Sequence, residues 1–266
     1  MNEFEKQLIE NMAKKTAEFA KERADEITKP TSKSIGDNLG LMVDGVFGWL
    51  GTWGQIQKEK QLKYIEDYKQ KLYSKIEEIP SQDLIEPCIN IVGPALESSK
   101  YYFAEDYYQE MFANLIAASC NNKQKSKVHP SYIEIIKQLS PLDAKVLNLF
   151  KYHSTYPIAE LKAINKDKTI SPFPLILCDF KEQNKYFSEE EFININSTIE
   201  NLERLKLILK NREVIELSYD YSKFKSNFLY KVFESSKGQN AIINIIKYRI
   251  ELTAYGERFF DICKTI

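Results

Sequence analysis

The sequence predicts a mainly α-helical protein, with a helical bundle over residues 1–138 followed by a winged helix-turn-helix-like α+β domain over residues 139–266. Three observations predict it. Apolar residues recur at spacings of three and four through most of the first half, the helical period. The second half orders its patterns as helix, helix, helix, strand, long tip, strand, helix, the order of a winged helix. A chain of 266 residues with 43% hydrophobic content is long and apolar enough for a full core without a disulfide framework.

Residues 2–28 read as a helix whose stripe is Phe4, Leu8, Met12, Phe19 and Ile27 among mixed charges. Lys29 to Gln55, KPTSKSIGDNLGLMVDGVFGWLGTWGQ, is the centre of the chain's organisation: a glycine-punctuated apolar segment between two charged helices. Read as a helix, residues 30–54 align Ile35, Leu39, Met42, Val46, Leu50 and Trp53 on one stripe, with Trp49 close by and Asp37, Asn38 and Asp44 off it. Ser32 or Ser34 caps its start after Pro30. Glycines at 45, 48, 51 and 54 recur every third residue. Each costs about 1 kcal/mol relative to alanine in a helix, so the segment is read as a surface that another helix or a lipid surface approaches closely.

Two readings of that surface stand side by side. Ile35 to Trp53 is roughly 28 Å as a helix, close to a hydrocarbon core, and two tryptophans suit a water–lipid interface. Asp37 and Asp44 oppose a full span. The alternative is a glycine-rich helix buried in the bundle.

QIQKEKQLKYIEDYKQKLYSKIEEIP is a long amphipathic helix carrying Ile56, Leu62, Ile65, Tyr68, Leu72, Ile76 and Ile79 up to a stop at Pro80. Pro87 and Pro94 are expected to cut the next stretch into short pieces. From about Glu97 a core helix carries Tyr101, Tyr102, Tyr108, Met111, Phe112, Leu115 and Ile116. HPSYIEIIKQLS turns Tyr132, Ile135, Ile136 and Leu139 inward, with His129 placed for capping or turn packing beside Pro130.

Ser140 and Pro141 open the helix SPLDAKVLNLF, and IAELKAIN is read as a second helix with Ile158, Leu161 and Ile164 inward. NKDKTISPFPLILCDFKEQNKYF is a loop of turn formers. Ser188 with Glu191 resembles a capping box, and Ser197 starts a helix with Ile199, Leu202 and Leu205 inward. A strand is placed around Val214 to Leu217 and a second one up to Leu252, after which Thr253 opens a terminal helix.

Candidate chemistry is sparse. The four cysteines, Cys88, Cys120, Cys178 and Cys263, make no C-x-x-C pair, so no zinc ribbon or redox motif is indicated and no cofactor or metal is expected. The acids Glu97, Glu105, Asp106 and Glu110 lie at helical spacing but lack a completing histidine nearby, and His129 would need a positioned nucleophile or acid. An enzyme is therefore a minor reading, with no catalytic residue assigned. From Arg204 to Arg249 ten basic residues face four acids, so Arg204, Lys206, Lys223, Lys225 and Lys231 are candidate DNA contacts, although Glu200 and Glu203 are poor neighbours for phosphates.

Taken together, KPTSKSIGDNLGLMVDGVFGWLGTWGQ, IPSQDLIEPCINIVGPALESSKYYFAEDYYQEMFANLIAAS and KVHPSYIEIIKQLSPLDAKVLNLF resemble the abortive-infection Abi-alpha family, closely from about Pro30 through Phe150 and loosely beyond. The resemblance implies bacterial antiphage defence, in which an infected cell stops growing or dies before virus release. It carries no agreed active site. The resulting expectation is a cytoplasmic protein that contacts a protein partner or its own copies, with peripheral contact at the inner membrane as a further possibility. The contact residues are Ile35, Leu39, Met42, Val46, Trp49, Leu50 and Trp53. A DNA-binding winged-helix regulator is the alternative.

Overall fold

The computed structural model describes residues 31–47, 55–102, 104–165, 175–237 and 241–264. The expected helix over 2–28, Gly48, Trp49, Leu50, Gly51, Trp53 and Gly54 lie outside the described residues. The protein is mainly helical with one four-stranded antiparallel sheet.

Among the described residues six helices come first. They are α1 (Ser32–Phe47), α2 (Gln55–Glu77), α3 (Ile89–Ser99), α4 (Asp106–Ser119), α5 (Ser131–Gln138) and α6 (Pro141–Asn148). The cap of α1 is Thr31 rather than a serine inside the helix: its hydroxyl accepts from Ser34 N at 3.1 Å while Ser34 Oγ accepts from Thr31 N at 3.1 Å. Pro94 lies within α3 without ending it, a departure from the expected break. The core helix expected from Glu97 is divided: α3 ends at Ser99, and α4 begins at Asp106. Ser140 caps α6 through a reciprocal box with Asp143.

The second half alternates strand and helix: β1 (Thr155–Ile164), β2 (Leu175–Cys178), α7 (Glu189–Ile193), α8 (Ile195–Arg204), β3 (Ile208–Asn211), α9 (Phe228–Ser236), β4 (Ile242–Leu252) and α10 (Ala254–Cys263). The sheet order is β2-β1-β4-β3, every neighbour antiparallel.

Three expectations are corrected here. IAELKAIN is the central strand β1, not a helix. Its three-residue apolar spacing mimics a helix because the strand is buried on both faces, which erases the alternation of a half-buried strand. LILC, read as loop, is the edge strand β2. The strand expected at Val214 to Leu217 lies instead at Ile208–Asn211, and Val214, Ile215 and Leu217 are exposed.

The sheet has two covered faces. Tyr156, Ile158, Tyr248 and Ile250 pack with α8 and the helical layer in one large apolar cluster that also takes in Ile35, Leu72, Phe112, Ile136 and Cys263. Ala159, Leu161, Leu177, Ile243 and Ile245 pack on the other face against Tyr221, Phe224 and Tyr230, which come from the insertion between β3 and β4. Helix α10 lies against both α4 and β4. Its Thr253 cap donates to the Lys206 carbonyl at 2.5 Å and accepts from Gly256 N at 2.8 Å. A Cβ on Gly256 would stand 1.9 Å from the Leu207 carbonyl oxygen, so only glycine fits there.

Candidate functional site

The predicted contact stripe points inward where it is described. Ile35 and Leu39 are 3% and 1% exposed, and Met42 and Val46 are partly buried against the same core. Val43, which the stripe did not include, is fully buried beside them. Trp49, Leu50 and Trp53 lie outside the described residues.

Among the described glycines of α1, Gly36 and Gly40 meet a neighbouring helix. A Cβ on Gly36 would stand 2.4 Å from Tyr73 Cε1, and one on Gly40 would stand 2.9 Å from Tyr73 Oη, so the Tyr73 ring of α2 lies in a notch on α1. Gly45 faces open space. Two polar contacts flank the seam: Tyr73 Oη donates to Asp37 Oδ1 at 3.3 Å, and Lys69 Nζ pairs with Asp44 Oδ1 at 2.5 Å. Among the described residues no helix is long and apolar enough to cross a membrane.

The candidate DNA residues fall into two groups. Arg204, at the end of α8, donates to Gln138 Oε1 at 2.9 Å and Asn201 Oδ1 at 2.7 Å, tying α8 to α5. Lys206 follows in a left-handed turn with φ of 60°. Lys223 and Lys225, in the 3-10 helix Tyr221–Ser226, and Lys231 on α9 belong to the insertion that covers the opposite face of the sheet. The three lysines thus share one insertion, while Arg204 and Lys206 stand at and just past the end of α8.

His129 does have a hydroxyl in reach. Its Nδ1 is 2.5 Å from Ser131 Oγ and accepts from Ser131 N at 3.2 Å, while the Ser131 hydroxyl also bonds Tyr255 Oη. Because the backbone N–H requires Nδ1 as an acceptor, the neutral ring carries its proton on Nε2. This fastens the start of α5 to α10, in keeping with turn packing beside Pro130. The acids of α4 are elsewhere: Asp106 pairs with Lys71, and Glu110 pairs with Lys75 at 2.5 Å, both lysines on α2. Among the described residues, His129 and these acids do not meet, and no group of three or more metal-ligating side chains forms.

A polar cleft that the sequence reading did not single out opens between the end of β2 and the insertion. Asp179 organises it. Its Oδ1 accepts from Lys181 N at 2.7 Å and Asn184 Nδ2 at 2.6 Å, and its Oδ2 accepts from Tyr219 Oη at 2.5 Å. Asn184 Oδ1 in turn accepts from Phe180 N at 2.8 Å. Burial, reinforced by the Asp179 bond and charge, raises the Tyr219 pKa and keeps the phenol a donor. Lys181 holds φ of 57°, a left-handed backbone that costs a non-glycine residue about 1–3 kcal/mol.

Two adjoining hollows of about 370 and 540 Å³ share Asp179, Asn184, Tyr219 and Lys223. The sequence signal was faint: an Asp-x-Lys with an asparagine soon after, among turn formers, and a tyrosine forty residues away.

A family model described as abortive infection alpha matches residues 60–263, most of the chain. The chain belongs to that family. No curated protein and no solved structure matches it. The abortive infection alpha match begins inside α2 and runs through α10, so it takes in the sheet, the cleft and the Ser131–Tyr255 contact. Its reach corrects the expected extent. The match takes in nearly all of the second half, and the glycine-rich segment at 30–54 lies before the matched residues.

Proposed function

We propose that this abortive infection alpha protein defends a bacterial cell against phage by abortive infection, and that α1 with the adjoining residues 48–54 is its contact element toward a protein partner or a membrane surface. Family membership is the observation that carries the defence role.

The contact role is supported by how α1 is attached. Its hold on α2 and α3 rests on Ile35, Leu39 and Val43, on the Tyr73 ring of α2 in the Gly36–Gly40 notch and on two peripheral polar contacts. Full burial of such aliphatic side chains stabilises by about 1.5–3 kcal/mol each. Inverting a two-state equilibrium from 1:99 to 99:1 takes about 5.5 kcal/mol. These are the same scale, so a trigger or surface that reburies the stripe is able to draw α1 away from α2. The released stripe then meets either a partner, a second copy included, or the inner membrane from the cytoplasmic side.

The division into a helical part over 1–138 and a winged-helix-like part over 139–266 belongs to this proposal. Its support is the strand order β1-β4-β3, with α8 leading into β3 and α10 following β4. The departures are the extra edge strand β2 and the insertion carrying α9. Docking of a protein is the favoured use of the second part, because Arg204 is already engaged with Gln138 and Asn201.

The test is expression in bacteria challenged with a phage panel: wild type, a variant lacking residues 35–53, and Trp49→Ala with Trp53→Ala. Protection is expected from the wild type and not from the deletion. Protection that survives the deletion overturns the contact role of α1, and a wild type that protects against no phage overturns the defence role. Liposome flotation of the purified proteins separates membrane from partner.

A further inference from the structure

We propose that the cleft between β2 and the insertion binds a small anion carrying a flat ring, of mononucleotide size. The inference is independent of the role given to α1.

The hollows at about 370 and 540 Å³ fall within the roughly 300–1,000 Å³ usual for small-molecule sites. The inner one is walled by the half-buried rings of Phe192 and Tyr219, which offer aromatic edges to a ring, with the buried Cys178 and Phe224 behind them. The outer one is lined by Lys181, Asn184, Ser218, Tyr219 and Lys223 around Asp179.

Charge decides the ligand's sign. Asp179 is the one carboxylate among the described residues lining the two hollows, against the two lysines Lys181 and Lys223, while Glu216 and Asp220 stand outside the lining. Each of the three carboxylates is turned into the protein's own bonds. Asp179 accepts three, Glu216 accepts from Thr155 and Ser218, and Asp220 accepts from Ser222 N and Oγ. The ammonium groups are different. Lys181 Nζ lies 5.9 Å from the Tyr156 ring centre and Lys223 Nζ lies 5.7 Å from the Tyr219 ring centre, and neither forms an ion pair among the described residues. They are the charged groups at the rim with bonding capacity unspent, and a phosphate supplies the matching acceptors.

The backbone agrees. Lys181 is one of two non-glycine residues with positive φ among the described residues, and the Asp179–Lys181 N bond fixes it there. That conformation holds the lysine at the rim beside the cleft, while the Asp179–Tyr219 bond fixes the opposite wall. A pre-set wall on each side is what a binding site needs to avoid ordering costs when the ligand arrives.

The experiment is calorimetric titration of the full chain with the adenine, guanine, cytosine and uracil mononucleotides, with adenosine and inorganic phosphate as separate arms. At least one mononucleotide is expected to bind saturably with one site per chain, and adenosine and phosphate at least ten-fold more weakly. Lys181→Gly, which keeps the left-handed backbone without strain, and Lys223→Glu are each expected to weaken binding ten-fold or more. Lys225→Glu, on the same 3-10 helix but outside the lining, is expected to leave it unchanged. Melting curves confirm that each variant is folded. Absence of binding by all four mononucleotides at millimolar concentration overturns the proposal, as does binding that persists in the Lys181→Gly, Lys223→Glu pair. Phosphate binding as tightly as the nucleotides overturns the ring-binding half.

Discussion

Tyr73 occupies the space that a side chain on Gly36 would need: a Cβ there would be 2.4 Å from its Cε1. Because the obstacle is the end of a half-buried side chain, the ring swings out at modest cost. Gly36→Ala is expected to lower global stability by about 1 kcal/mol or less, helped by alanine's helix preference. It should nevertheless loosen α1 selectively. Hydrogen exchange will read this as faster exchange in residues 35–46 with α4 unchanged.

Gly256 faces a harder obstacle, the backbone carbonyl of Leu207. Main chain held by the Thr253 N to Leu207 O bond at 3.0 Å does not swing aside. Gly256→Ala is expected to cost about 1–3 kcal/mol through overpacking, despite lying in a helix. Denaturant melts comparing it with Gly36→Ala check the ranking; a smaller loss at Gly256 would contradict it.

Glu160 on β1 is 3% exposed and sits between Lys162 Nζ at 2.8 Å and Arg212 Nη2 at 3.0 Å. The cations are more open than the carboxylate, so the pair is asymmetric. Removing Arg212 strips a buried charge of a partner, while neutralising Glu160 leaves cations that water reaches. Arg212→Ala is expected to lose about 1–3 kcal/mol. Glu160→Gln should lose less, and the double variant should regain most of the Arg212→Ala loss in a double-mutant cycle of melts.

Three carboxyls are held below their ordinary values. At Glu191, burial works the other way, and the bonds from Lys145 and Ser188 outweigh it. At Glu216 the cause is hydrogen bonds from Thr155 and Ser218, and at Asp220 it is the bonds from Ser222. A carboxyl whose pKa is lower in the folded chain stabilises the fold above its unfolded value, and that contribution fades as pH falls through the folded value. Melting temperature is therefore expected to drop as pH falls below the ordinary glutamate value of 4.5. Glu191→Gln should melt lower than wild type near neutrality and converge with it in acid. Curves that stay parallel from neutral pH to about pH 3 would refute the assignment.

Burial pushes the Cys120 thiol up to about 12 and also raises Cys178 and Cys263, while Cys88 is exposed at the start of α3. The thiolate is the reactive form. Iodoacetamide at mildly alkaline pH, read by mass spectrometry, is expected to modify Cys88 alone in the native protein and all four cysteines after denaturation.

Local signals in the sequence translated directly into structure. Ser188 with Glu191 makes the expected capping box, Thr253 caps α10, and Pro80 follows the end of the long helix. Signals that depend on distant partners did not. Ile158 and Leu161 keep helical spacing, yet they lie on opposite faces of a strand covered on both sides. The cleft rests on Asp179 meeting Tyr219 across 40 residues, and no short window contains both. The glycine-rich segment at 30–54 is read as a contact surface from its glycines at 45, 48, 51 and 54. Among the described residues a close helix approach occurs at Gly36 and Gly40, where the neighbour is a tyrosine in the next helix.

The lengths of the strands bear on how copies of this chain can meet. Among the described residues β1 and β4, at 10 and 11 residues, sit in the middle of the sheet, while β2 and β3 at its rims have 4 each. A neighbouring chain that tried to extend the sheet along a rim strand would find few backbone groups to join there. Any oligomer is therefore expected to be sewn together through side chains, and to come apart with surface substitutions and not with proline placed in a rim strand.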